Sequence, residues 1–148
     1  VNLAMLYNEH GDRAKAEEIF RDTLKDNPNL HEIAYSLALL LAEKEEYEEA
    51  AMFMGKAADN MPLAARVHYN YGLLLQYLRR DKESELELKK ANDIEPANMD
   101  FLYALFDFYF KRSEFNRAKE VAGQMIEIAP ESPEVKELLD MVTGRTVQ

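Results

Sequence analysis

Residues 62–96 read PLAARVHYNYGLLLQYLRRDKESELELKKANDIEP, a segment bounded by proline at both ends. Pro62 and Pro96 stand 34 residues apart, and the same interval leads back to Pro28 and on to Pro130. Proline lacks a backbone N–H and crowds the preceding turn, so it marks where a helix ends. One structural unit therefore ends four times at a constant spacing, and a period of this length is the signature of a repeat architecture. Inside the segment, apolar residues recur at helical spacing on both sides of a polar break at 79–81.

Cutting the chain after each proline gives pieces with the same plan, two amphipathic helical stretches and a short break. The breaks fall at 10–12, 43–46, 79–81 and 111–113. First helices are predicted over 1–10, 30–43, 64–79 and 98–111, and second helices over 13–26, 47–60, 81–94 and 114–128. A helix pair this short cannot bury its apolar face alone, whereas stacked pairs share a continuous core. After Pro130, Ser132 precedes Pro133, the arrangement of a cap followed by proline at the first helical position. A terminal helix is predicted over 133–143, with Val135, Leu138, Leu139 and Val142 as its apolar stripe and Lys136, Glu137 and Asp140 on its polar side. No matching cap precedes the first pair. The chain opens at Val1 inside a predicted helix, which reads as a piece of a longer protein with a sticky first helix, open to homo-oligomer contacts.

In register, the pieces show columns. Small residues recur in the first helices at Ala4, Ala38 and Gly72, flanked by Leu3, Leu37, Tyr71, Leu105 and by Tyr7, Leu41, Leu75, Tyr109. The second helices carry a small column (Ala16, Ala50, Ser84, Ala118), then Phe20, Met54, Leu88, Ala122, then Thr23, Ala57, Ala91, Met125. Small side chains let helices approach while large ones fill the space beside them. Phe106 replaces the small residue of the fourth first helix and Ala122 is small where the others are large, which predicts an exchange of bulk between the two.

These columns resemble the tetratricopeptide repeat family over essentially the whole chain. The resemblance implies an all-α fold, a right-handed superhelical solenoid of antiparallel helix pairs. It implies one domain over 1–148, with repeats at about 1–30, 31–64, 65–98 and 99–132 and a capping helix at about 133–143. The family's tryptophan column is absent, its places being taken by Ala34, His68 and Leu102. Only the first break has the glycine the family often uses, Gly11.

The net charge is −10 with a pI near 4.8. That disfavours nucleic acid and anionic membrane surfaces and favours a neutral or basic protein or peptide partner. No apolar run approaches the ~20 residues of a membrane span. The chain has no cysteine, which excludes disulfides, thiolate metal sites and thiol catalysis and is compatible with a reducing or an oxidising compartment. The histidines, His10, His31 and His68, have no trusted metal-ligand spacing and read as packing or surface residues. The acidic run Glu43, Glu45, Glu46, Glu48 and Glu49 lacks a calcium-loop pattern and reads as a solvated turn and helix start. No glycine-rich phosphate loop or nucleophilic serine turn is present. No catalytic residue, cofactor or metal is therefore predicted.

In a stack of this family the first helices line the concave groove. One column there reads Tyr35, Tyr69 and Tyr103, and Arg66, Asn70, Tyr77, Asp107, Phe110 and Lys111 share the groove. Tyrosine offers a flat apolar ring and a polar tip, which suits peptide contact. In the aromatic run 101–110, Phe108 is expected under the cap helix and Phe110 in a patch with Tyr77 and Tyr103. Some family members clamp a C-terminal carboxylate with lysine, asparagine and arginine. The matching columns here are Tyr35 and Leu39, Asn70, then Asp100 and Ala104, so the cations are missing and that mode is excluded.

The resulting expectation is a non-catalytic scaffold that holds a peptide or helix on its concave face. The alternatives are a self-associating or structural spacer, and an accessory domain of a larger protein. Residues 31–43 and 65–76 are also similar to repeat tails of bacterial multihaem cytochrome-family proteins, which would place the parent in a periplasm, although this chain has no haem-attachment motif.

Overall fold

The computed structural model describes residues 11–144. Among them the chain forms eight α-helices and no strand: α1 (Arg13–Asp26), α2 (His31–Glu43), α3 (Tyr47–Asn60), α4 (Ala65–Tyr77), α5 (Asp81–Ile94), α6 (Met99–Lys111), α7 (Phe115–Ile128) and α8 (Pro133–Thr143). These are the helices predicted from the sequence, with ends displaced by two residues at most. The predicted helix over 1–10, and the open surface expected of it, lie outside the described residues.

Two turn types alternate along the chain, and both repeat with the period of the prolines. The first closes each first helix. Glu45, Arg79 and Ser113 have φ of 65°, 61° and 59°, and Gly11, one period earlier, has 83°. Behind each of the three, a backbone N–H reaches five residues back: Glu46 to Leu41, Arg80 to Leu75 and Glu114 to Tyr109, each at 2.9 Å. This is the left-handed helix ending that usually selects glycine, built here three times without it. The second turn holds the proline. Leu30 N–H bonds Asn27 C=O (3.4 Å), and Ala64–Met61, Asn98–Glu95 and Ser132–Ala129 repeat the bond at 3.0 to 3.1 Å. Proline thus occupies the second position of a four-residue turn, where its fixed φ fits and no N–H is required.

The helices pair as α2 with α3, α4 with α5 and α6 with α7, and each pair docks on the next. The first helices α4 and α6 also touch directly. Ala16, Ala38, Ala50, Ser84 and Ala118 are fully buried at the closest approaches. At Gly72 an added methyl would lie 2.8 Å from the Leu88 side chain. Ser84 Oγ donates to the Gly72 carbonyl at 2.7 Å, so its buried hydroxyl is satisfied. In the last pair Phe106 stands in the place of Gly72 and Ala122 in that of Leu88, and both are buried in one core cluster, as an exchange of bulk requires.

That C-terminal cluster gathers Leu102, Leu105, Phe106, Phe108 and Met125 under Val135 and Val142 of α8. Phe108 is buried there, in the cluster the cap helix closes, and the Arg112 guanidinium lies 5.2 Å from its ring centre. A second cluster centres on Phe20, Leu37, Leu41 and Met54. Full burial of each such side chain contributes about 1.5–3 kcal/mol. Side-chain caps hold three helix starts: Asp12 Oδ1 accepts from Lys15 N–H, Asn98 Oδ1 from Asp100 and Phe101 N–H, and Ser132 Oγ from Val135 N–H.

Candidate functional site

Helices α2, α4 and α6 carry every candidate groove residue. Its tyrosines each reach forward to the next pair. Tyr35 Oη accepts from Asn70 Nδ2 at 2.5 Å. The Tyr69 ring packs 5.0 Å from that of Phe101, and the Arg66 guanidinium lies 5.2 and 5.1 Å from the two ring centres. Tyr103 Oη donates to Glu134 of α8 at 3.3 Å, and partial burial, with Glu134 beside it, pushes its phenol up. All three rings are half-buried. The column therefore serves as a set of inter-pair contacts that leave each tyrosine partly exposed.

One helical turn further on, the same period gives a more exposed column: Leu39 and Leu73, 36% and 37% exposed, and Asp107. Tyr77 is 65% exposed, although its ring rests 4.3 Å from that of Tyr47. Leu73 had no place among the predicted groove residues. The signal for it was the tyrosine period displaced by four residues, the spacing that places two side chains on one face of a helix. Phe110 is half-buried between the rings of Phe106 (5.7 Å) and Phe115 (5.5 Å).

Both cations of the face are engaged. Arg66 pairs with Asp100 at 3.6 Å and Lys111 with Asp107 at 2.9 Å. Glu32 lies exposed on the first turn of α2. The arrangement provides apolar anchors with surplus acceptors, and Asn70, the one surviving residue of the carboxylate-clamp pattern, spends its amide on Tyr35.

The buried polar residues are structural. His68 Nε2 donates to the Pro62 carbonyl at 3.0 Å and Nδ1 lies 2.6 Å from Glu87. Glu87 in turn accepts from Lys90 Nζ at 2.9 Å. Glu87 escaped the sequence reading because it lies on the partner helix, where the periodicity of α4 says nothing about rotation. Among the described residues no three His, Cys, Asp or Glu side chains gather as a metal site.

Residues 65–98 match the family model of the tetratricopeptide repeat. The human protein O-mannosyl-transferase TMTC1 is 25% identical over 148 residues, all of this chain and 17% of the relative. The chain thus spans about a sixth of the length of that curated relative. Among solved structures, that of MamA superposes with a TM-score of 0.87 at 18% identity, covering 97% of this chain and 84% of MamA. YrrB, described as a repeat protein with an unusual peptide-binding site, superposes with a TM-score of 0.79 at 16% identity, covering 90% of this chain and 69% of YrrB.

Proposed function

We propose that this chain, whose residues 65–98 match the tetratricopeptide repeat, is a non-catalytic interaction scaffold that holds a peptide or helix on the concave face of its first helices. The observation that carries this reading is the exposed column Leu39 and Leu73 with Tyr77 beside it. These are apolar side chains on an inner helical face, next to half-buried tyrosine rings already held in place by their neighbours. Rigid aromatic and aliphatic anchors lose little entropy on contact. With Arg66 and Lys111 both paired to carboxylates, the face favours a neutral or basic partner. The peptide-binding description of YrrB supports the same kind of ligand.

Selection of peptides from a display library on the immobilised chain tests this. The expected winners carry apolar anchors with neutral or basic flanks, and Leu73→Gln with Tyr77→Ala weakens them by about tenfold or more, the loss of one or two anchors worth ~1–2 kcal/mol each. Winners that bind the double variant as tightly as the parent would sink the assignment of this face.

A second reading makes the array the binding part of a longer protein. It is favoured by the human relative, in which the matched stretch is 17% of the whole. The two readings are compatible, since an accessory module works by the same face.

A further inference from the structure

The repeat provides an internal template for a second site, away from the first-helix face. In the α4–α5 pair, three positions form a closed polar chain: His68, Glu87 and Lys90, with the carboxylate 2.6 Å from the imidazole and 2.9 Å from the ammonium. In the α6–α7 pair the same positions hold Leu102, Val121 and Gln124, and Leu102 is fully buried. In the α2–α3 pair they hold Ala34, Phe53 and Lys56. There the ring is truncated to a methyl, the carboxylate is gone, and the cation remains.

A cleft of about 360 Å³ lies there, lined by Leu24, Pro28, Ala34, Phe53 and Lys56 together with Asn29, His31 and Asn60. The α4–α5 pair has one of about 350 Å³ at the same place, with His68 and Lys90 in its lining and Asp59 and Asp93 beside them. Its size falls within the ~300–1,000 Å³ of small-molecule sites. No carboxylate lines it, in a chain with 28 acidic residues. Lys56 makes no ion pair with any described residue, whereas its counterpart Lys90 is paired. The two clefts differ in charge: the one in the α4–α5 pair carries two aspartates beside its lysine, whereas this one offers an aromatic wall, Phe53, and a lysine with no carboxylate beside it.

We propose that this cleft binds an aromatic carboxylate, the ring stacking over Ala34 against Phe53 and Leu24 and the carboxylate meeting Lys56. That chemistry has two sources, a free aromatic acid and an aromatic residue at the carboxyl end of a protein chain. The proposal is independent of the first-helix face, so either can fail alone.

The experiment titrates the whole chain with indole-3-acetate, indole-3-acetamide and an acetylated tetrapeptide ending in tryptophan, followed by NMR shifts of Ala34 and Phe53. The acid is expected to bind about tenfold or more tighter than the amide, the scale of a hydrogen bond to a charged group. Ala34→Leu, which copies the side chain at Leu102, should weaken binding by replacing the floor on which the ring stacks. Lys56→Met, a change at an exposed residue, should keep the fold and erase the preference for acid over amide. Tighter binding of the peptide identifies a chain terminus as the source, and tighter binding of the free acid a small molecule. Absence of shifts with all three probes at millimolar concentration, equal affinity for acid and amide, or unchanged binding by Ala34→Leu would each overturn the proposal.

Discussion

At the scale of single residues, the most consequential feature is the left-handed backbone at Glu45, Arg79 and Ser113. A side chain there crowds the following carbonyl, at about 1–2 kcal/mol per residue. Gly11 shows what the turn prefers. Ser113→Gly removes the strain, and part of the gain is offset by the greater freedom of glycine in the unfolded chain. The expected outcome is a stabilisation of about 1 kcal/mol, read as a higher urea midpoint at unchanged slope. An unchanged or lower midpoint would mean that the turn is held by forces other than backbone conformation. The sequence alone marked this position as unusual, through the missing glycine. It did not reveal that the chain keeps the glycine conformation regardless.

At the scale of elements, helix pairs are joined by buried and by exposed polar contacts, and the two differ in strength. The His68–Glu87 pair is nearly inaccessible, so removing one partner strands the other. His68→Leu is expected to cost about 3 kcal/mol, whereas His68→Leu with Glu87→Val reproduces the Leu102 and Val121 pairing and is expected to fall within about 1 kcal/mol of the parent. Calorimetry of the two variants checks this, and a double variant no more stable than the single one would contradict it. The bridge between α1 and α3 is more exposed. Arg21 donates two hydrogen bonds to Glu49, at 2.6 and 3.1 Å, and these hold the Glu49 carboxyl below its usual range. A carboxylate depressed in the folded state contributes stability above its unfolded pKa and loses it as the pH falls through the folded value. Arg21→Met should therefore cost at most about 1 kcal/mol at neutral pH, and the difference should vanish in acid, below the carboxylate range. Urea unfolding at both pH values measures it, and a gap that persists in acid would assign the effect to packing of the arginine stem.

At the scale of the whole molecule, each helix packs mainly on its chain neighbours, so stability is a chain of local interfaces. Damage should stay local. Val135 is fully buried where α8 closes the aromatic cluster. Val135→Asp places a carboxylate in that apolar contact and is expected to open α8 and loosen α6 and α7, while α2 and α3 retain their amide protection. Hydrogen exchange resolved by segment reads this directly. A uniform loss of protection along the chain would show a single cooperative unit instead. The same linear build keeps the first-helix face and the Ala34 cleft separable, since they lie on different surfaces of the stack.

The sequence by itself determined the period, the helices, the places of both turns and the apolar columns. These depend on interactions within about one helical turn, and every repeat states them again, so register errors in one copy are corrected by the others. It also marked Tyr35, Tyr69 and Tyr103 as one column. Only the tertiary structure decided what that column does, because the partners Asn70, Phe101 and Glu134 lie about a full repeat away. It likewise decided that Leu39 and Leu73 form the exposed apolar row, that Glu87 meets His68, and that a cleft lies beside Ala34 and Lys56. Periodicity fixes which residues share a face of one helix. The rotation of each helix against the next is set by how the side chains of both fill their common volume, and that fit exists only once the repeats are stacked.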